Sequence, residues 1–162
     1  MPDQRISEAN LTLETLERAA TVVYETLEPT PQFAWPLLGA ELGADVWVKH
    51  ENFTPTGAFK VRGGLVYFHE LLAGGARPAG VISATRGNHG QSVGYAARRN
   101  NIAATIVVPL GNSLEKNAAM RALGVELIEH GGDFQESREY AARLAIERGL
   151  HMIPAFHPHI VR

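Results

Sequence analysis

The chain contains no cysteine. That excludes disulfides, thiolate metal ligands and a cysteine nucleophile, and it agrees with a reducing compartment. No stretch approaches the ~18 consecutive apolar residues that a helix needs to cross a bilayer. The first ten residues, MPDQRISEAN, lack the apolar core of a secretory signal. A cytoplasmic protein without a membrane partner is the expectation. An excess of one charge is missing too: 15 basic and 17 acidic residues leave a net charge of −2. No basic stripe invites nucleic acid and no charge block forms a tail. The adjacent Arg98 and Arg99 read as a solvated helix face. There is no Gly-x-Ser-x-Gly elbow to support a hydrolase triad, and neither a P-loop nor a dinucleotide fingerprint.

What remains is an ordinary globular composition, 162 residues with 45% hydrophobic and 20% charged. That length suits one domain, or one and a part, with a genuine core. Thr12 is placed as a helix N-cap, with Leu11 and Leu16 as a staple around it. Leu13, Leu16, Ala20, Val23 and Leu27 recur at helical spacing, and Pro29 and Pro31 close that helix. Residues 28–36 read as a hinge. Strands are expected over 46–48, 80–83, 104–108, 125–128 and 151–153. Helices are expected over 57–72 and 89–99, from Ser113 to Gly124, and from Asp133 to Gly149, where Glu136 completes a capping box. Strands and helices alternate, which predicts βαβ units: a three-layer α/β fold with a mostly parallel sheet flanked by helices.

Two strand-to-helix junctions carry chemistry. Residues 51–64 include Lys60 in the first turn of a helix, the end that bears partial positive charge. Crowded positive charge favours a neutral amine, and Arg62 is expected to add to that effect. A surface lysine with a solvated stem is the alternative, and the commoner case for a lysine taken at random. Residues 83–92, SATRGNHGQS, place Gly87 and Gly90 where backbone amides at a helix N-terminus would receive a carboxylate or phosphate. Asn88 offers hydrogen bonds to a ring hydroxyl or an oxyanion. A tight turn capped by Asn88 or His89 is the alternative there. His151, His157 and His159 cluster near the C-terminus, with His157 and His159 on one face of a strand. No third ligand stands at a sensible spacing, so no metal is expected. His50, His69 and His130 have no recognisable partners.

Taken together, KHENFTPTGAFKVRGG and, beginning 23 residues beyond its lysine, SATRGNHGQS resemble the paired signatures of fold-type II enzymes that depend on pyridoxal 5'-phosphate (PLP). The serine/threonine dehydratase (threonine ammonia-lyase) family fits best. IVVPLGNSLEKNAAMRALGVELIEHGGDF and MIPAFHP are similar as well. The resemblance implies a tryptophan-synthase-β-like fold, with 1–50 as the N-terminal part of a large PLP domain. Residues 51–155 would form a small α/β domain, and 156–162 the start of the return to the large one. It implies that Lys60 carries PLP and takes the Cα proton, that Phe59 packs on the ring and that Asn88 binds the ring hydroxyl. Thr85, Arg86, Gly87, Asn88 and His89 would hold an amino-acid substrate, largely through backbone amides. The implied reaction is α,β-elimination from L-threonine or L-serine, giving a 2-oxo acid and ammonia.

Arg86 departs from the family, where a small residue precedes the loop glycine and related racemases use a serine. A serine racemase-like reaction is thereby disfavoured, and an arginine there would suit an acidic substrate such as 3-hydroxyaspartate. The family's phosphate-binding loop and its partner for the pyridine nitrogen are expected beyond residue 162. The chain therefore reads as the truncated N-terminal half of an enzyme that is a homo-oligomer, dimer or tetramer, at full length. A non-catalytic anion-binding domain and an interaction fragment are the alternatives of another class.

Overall fold

The computed structural model describes residues 12–75, 77–157 and 160. Helix α1 (Leu13–Tyr24) opens at Thr12, whose hydroxyl accepts from the Thr15 amide. Leu11 of the expected staple lies outside the described residues, and Leu16 is exposed. The helix stops at Tyr24, short of Leu27, but Leu27 still donates to the Val23 carbonyl and is buried.

The segment expected to be a hinge holds structure instead. Strand β1 (Gln32–Ala34) pairs antiparallel with β2 (Trp47–Lys49). Between them lies α2 (Pro36–Leu42), with proline in its first turn and Gly43 in the left-handed conformation at its end. Three- and seven-residue elements are too short to show a period, which is why the sequence pattern missed both. The strand expected over 46–48 thus exists, shifted by one residue, but it stands outside the parallel sheet.

A 3₁₀ turn (Glu51–Phe53) leads into α3 (Lys60–Ala73). The helix starts three residues later than expected. Gly57 has φ +63°, and the Thr54 hydroxyl accepts from the Ala58 amide while donating to the Ala58 carbonyl, which closes the loop before the helix begins. Then come β3 (Gly80–Ala84), α4 (Asn88–Arg99), β4 (Ala103–Val108), α5 (Leu114–Ala122), β5 (Glu126–Glu129), α6 (Phe134–Arg148) and β6 (His151–Met152). The four strands form one sheet, all parallel, in the order β5-β4-β3-β6.

Parallel strands need crossovers, and these cover both faces. On one face Val81, Ala104, Ile106 and Val108 pack with Tyr67 and Phe68 of α3, Val93, Ala96 and Ala97 of α4, and Met120 of α5. On the other face Ile82, Ala84 and Val107 pack against Ala141, Leu144 and Ala145 of α6. The three expected layers are present. Helix α1 adds a smaller cluster, laying Ala19 and Val23 on Val61, Leu65 and Val66 of α3. Ser113 and Asp133 cap α5 and α6 as expected, and Gly149 ends α6 in the left-handed conformation.

Candidate active site

The C-terminal edge of a parallel sheet is where the connections of an open α/β fold leave room for ligands. Three segments meet there: the start of α3, the β3–α4 junction, and the exit from β6.

Lys60 is the first residue of α3 and Phe59 precedes it without a side-chain cap. The Lys60 ammonium lies 5.4 Å from the centre of the Phe59 ring and 5.8 Å from that of Phe156. The helix is clamped to α4, because Ser92 Oγ donates to the Lys60 carbonyl at 2.6 Å. The approach is so close that a Cβ at Gly64 would stand 2.2 Å from that hydroxyl.

Helix α4 opens at Gly87, which offers no side chain to cap it. The capped tight turn considered from the sequence does not form: Asn88 and His89 are themselves in the first helical turn. No N-cap side chain therefore takes an amide of that turn. Thr85 Oγ1 accepts from the Gly87 amide at 3.1 Å and braces the junction. At Gly90 a Cβ would sit 2.4 Å from Met120 Sδ and 2.7 Å from Thr85 Cγ2. Arg86 and Asn88 are exposed, whereas Thr85, Gly87 and His89 are buried.

His89 Nε2 lies 3.1 Å from Ser83 Oγ, and the Ser83 hydroxyl donates to the Ile153 carbonyl at 2.7 Å. Burial pushes the His89 pKa down to about 4, with the Lys60 charge acting in the same direction. The ring is neutral near pH 7. Lys60 and His89 therefore sense each other electrostatically, so the structure brings together the two junctions that the sequence singled out.

One expectation is corrected. Arg62 does not add uncompensated charge beside Lys60. Its guanidinium grips Glu51 with two hydrogen bonds, at 2.8 and 3.0 Å, and Thr30 donates a third to the same carboxylate at 2.7 Å. Those bonds, Arg62 first, hold the Glu51 carboxyl below its ordinary value. A matched pair contributes little net field at a neighbour.

The histidines are placed as well. His151 Nε2 meets Tyr67 Oη at 2.8 Å, and His157 stands edge-on to the Tyr67 ring at 5.0 Å. His157 follows β6 rather than lying in a strand, and His159 lies outside the described residues. His130 stacks on Tyr140 at 3.9 Å, and His50 sits among Phe33, Trp35 and Phe53. No group of three metal-ligating side chains occurs among the described residues. Sequence reasoning assigned no role to Phe156, Ser83 or Ser92. Phe156 lies in MIPAFHP, but nothing in one-dimensional spacing places it beside Lys60.

The donor set suits a flat, anionic aldehyde. It combines an amine able to bond a carbonyl carbon, aromatic surface beside it, and a helix start without an N-cap side chain for negative charge. Comparison with known proteins agrees. A family profile described as "Pyridoxal-phosphate dependent enzyme" matches residues 23–162. The biosynthetic L-threonine dehydratase of Haemophilus influenzae is 33% identical over 150 residues, which are 92% of this chain and 29% of that protein. The L-threo-3-hydroxyaspartate ammonia-lyase of Saccharomyces cerevisiae is 33% identical over 144 residues, 88% of this chain and 44% of that one. Among solved structures, the processed form of threonine deaminase isoform 2 from Solanum lycopersicum superposes with a TM-score of 0.78 at 30% identity, over 93% of this chain and 45% of that one. The chain thus spans less than half the length of each of these relatives.

Proposed function

The chain belongs to the family of pyridoxal-phosphate dependent enzymes, and on that premise we propose that it is the lysine-bearing part of an ammonia-lyase acting on L-threonine or L-serine. The observation that carries this reading is the placement of Lys60 Nζ. It lies within about 6 Å of two aromatic rings at an uncapped helix start, electrostatically coupled to the buried His89 in the first turn of a second uncapped helix.

PLP, when bound, supplies an electron sink for the pair released at Cα. The chain's own residues do the rest. Lys60 would hold the cofactor through Nζ and would receive the Cα proton on the same nitrogen. Phe59 packs on the ring face, and Asn88 hydrogen-bonds the ring hydroxyl. Thr85 and the amides of Asn88 and His89 would hold the substrate carboxylate, on a junction braced by the Gly87 amide bond to Thr85 Oγ1, and fix the Cα–H bond toward Lys60. His89, kept neutral by burial, avoids placing a second cation beside the amine that must act as a base. Loss of the β-hydroxyl as water gives an enamine, which hydrolyses after release to the 2-oxo acid and ammonia.

The test begins with the purified chain. Added PLP is expected to give a visible absorption band that borohydride fixes as a mass increment on Lys60, and Lys60→Ala is expected to lose both. The full-length enzyme is then expected to form 2-oxobutanoate from L-threonine and pyruvate from L-serine. If neither keto acid appears, the substrate reading fails even where Lys60 is labelled.

A second reading, 3-hydroxyaspartate as substrate, draws on the exposed Arg86 beside the carboxylate-binding amides. An exposed guanidinium there suits a substrate with a second carboxylate. Competition between L-threonine and 3-hydroxyaspartate, in wild type and Arg86→Ala, separates the two. The same proposal includes a division into 1–50, 51–155 and 156–162, a homo-oligomeric full-length enzyme and a cytoplasmic location. Support for association is the outward display of Phe33, Trp35, Leu37 and Trp47. Sedimentation of the full-length enzyme tests it.

A further inference from the structure

Ser83 is fully buried on β3, on the sheet face that carries Val81. Its one proton has a single destination, because the Ile153 carbonyl can only accept. With that proton on Ile153, the Ser83 oxygen is left to accept from His89 Nε2, the tautomer that keeps a lone pair on Nδ1, and the His89 ring also bonds to the Ile153 backbone. One hydroxyl therefore joins the α4 start to the exit from β6. Ile153 is pinned a second time, where its amide donates to the Ile82 carbonyl at 2.8 Å. Three residues later the chain delivers Phe156, whose ring is 77% exposed yet reaches Lys60 Nζ. A ring that is mostly solvated and touches the reactive amine owes its position to the backbone that presents it.

We infer that Ser83 is a positioning residue, which through Ile153 seats Phe156 over Lys60 and through His89 keeps the substrate-binding helix start in register with that cover. The relay fixes the His89 tautomer and sets how accessible the Lys60 amine is before any ligand arrives. This rests on Lys60 being the reactive lysine but not on the cofactor or the substrate.

The test is a pulse of acetic anhydride on the unliganded chain, with peptide mapping of Lys60 against Lys49 and Lys116 as internal references. Because no cofactor is used, failure here is distinguishable from failure of the PLP reading. Phe156→Ala is expected to raise the labelling rate of Lys60 about 2- to 5-fold, the range that an exposed cation–π contact spans. Ser83→Ala is expected to raise it similarly, and the double variant no further, since both act through one contact. Nitrogen-15 spectra of wild-type His89 are expected to show the Nε2–H tautomer, with that signal moved in Ser83→Ala. The inference is overturned if wild-type His89 is charged or carries its proton on Nδ1. It is also overturned if Phe156→Ala leaves Lys60 labelling unchanged, or if the two substitutions add independently. Should Ser83→Ala not fold, Ser83→Cys keeps the shape with a weaker donor and is expected to fall between wild type and Phe156→Ala, while the wild-type tautomer remains decisive.

Discussion

Helices in this molecule begin in two ways. α1, α5 and α6 open on Thr12, Ser113 and Asp133, each with a side-chain oxygen accepting a backbone amide of the first turn. α2, α3 and α4 open on Trp35, Phe59 and Gly87, with no such bond. A helix start exposes several amides that cannot be satisfied within the helix. Where a side chain answers one of them, the start is finished and serves stability. At α3 and α4 no N-cap side chain takes an amide, although the Arg62 amide donates to the Phe59 carbonyl and the Gly87 amide to Thr85 Oγ1, and these two starts stand at the candidate active site. Under the proposed function, the missing cap of α4 leaves the Asn88 and His89 amides for the substrate carboxylate.

Four measurements test the difference between the two kinds of helix start. The largest effect concerns His89, which lies in an uncapped first turn. Its folded pKa of about 4 stands below the ordinary 6.5. Between those values the unfolded chain holds a proton that the native ring refuses. The stability this contributes is complete above pH 6.5 and disappears as pH falls toward 4, a loss on the order of 3 kcal/mol. Urea unfolding at pH 7 and pH 4 should reveal it, with His89→Gln showing a shallower decline; equal slopes would mean that burial of the ring does not matter.

Gly90→Ala comes next. Its Cβ would meet Met120 Sδ at 2.4 Å and Thr85 Cγ2 at 2.7 Å. Overpacking of this kind costs about 1–3 kcal/mol, and chemical denaturation measures it. Because Thr85 is one of the displaced neighbours, affinity for PLP should fall along with stability.

Gly87→Asp gives α4 the kind of cap that α6 already has. Gly87 has φ 172°, extended backbone open to any residue, and a new Cβ would meet only the flexible Lys116 side chain. The carboxylate would claim amides proposed for the substrate. Binding of an amino-acid carboxylate in the PLP-loaded enzyme should weaken at least ~10-fold, roughly 1.4 kcal/mol, while thermal stability holds or rises. Unchanged binding would break the link between missing caps and ligand.

Asp133→Ala is the control. Loss of its bond to the Glu136 amide, 2.9 Å long, should cost about 1 kcal/mol. Labelling of Lys60 by PLP should not change, since α6 lies on the opposite face of the sheet.

Much of this was legible in one dimension, for a local reason. Caps such as Thr12, Ser113 and Asp133 act within three residues, and the apolar runs of β3 and β4 follow from burial on both faces. The two junction sequences place Lys60 and the Thr85–Gly90 amides at helix starts without reference to anything distant. The expectations that needed revision were those with a remote partner or a short element. Strand β2 has the expected residues, but its neighbour is β1 and not the parallel sheet. The Arg62 charge depended on a carboxylate eleven positions earlier in the chain.

The strand–helix alternation and the capped helix starts thus follow from the amino-acid order, because each is a contest between a residue and its near neighbours. That His89 is neutral, that Arg62 is matched by Glu51, and that the Phe156 ring lies near Lys60 depend on the folded chain. Those outcomes turn on desolvation and on hydrogen bonds between distant positions, such as Ser83 to Ile153 across 70 residues. Burial and distance between remote residues have no value until the chain has folded.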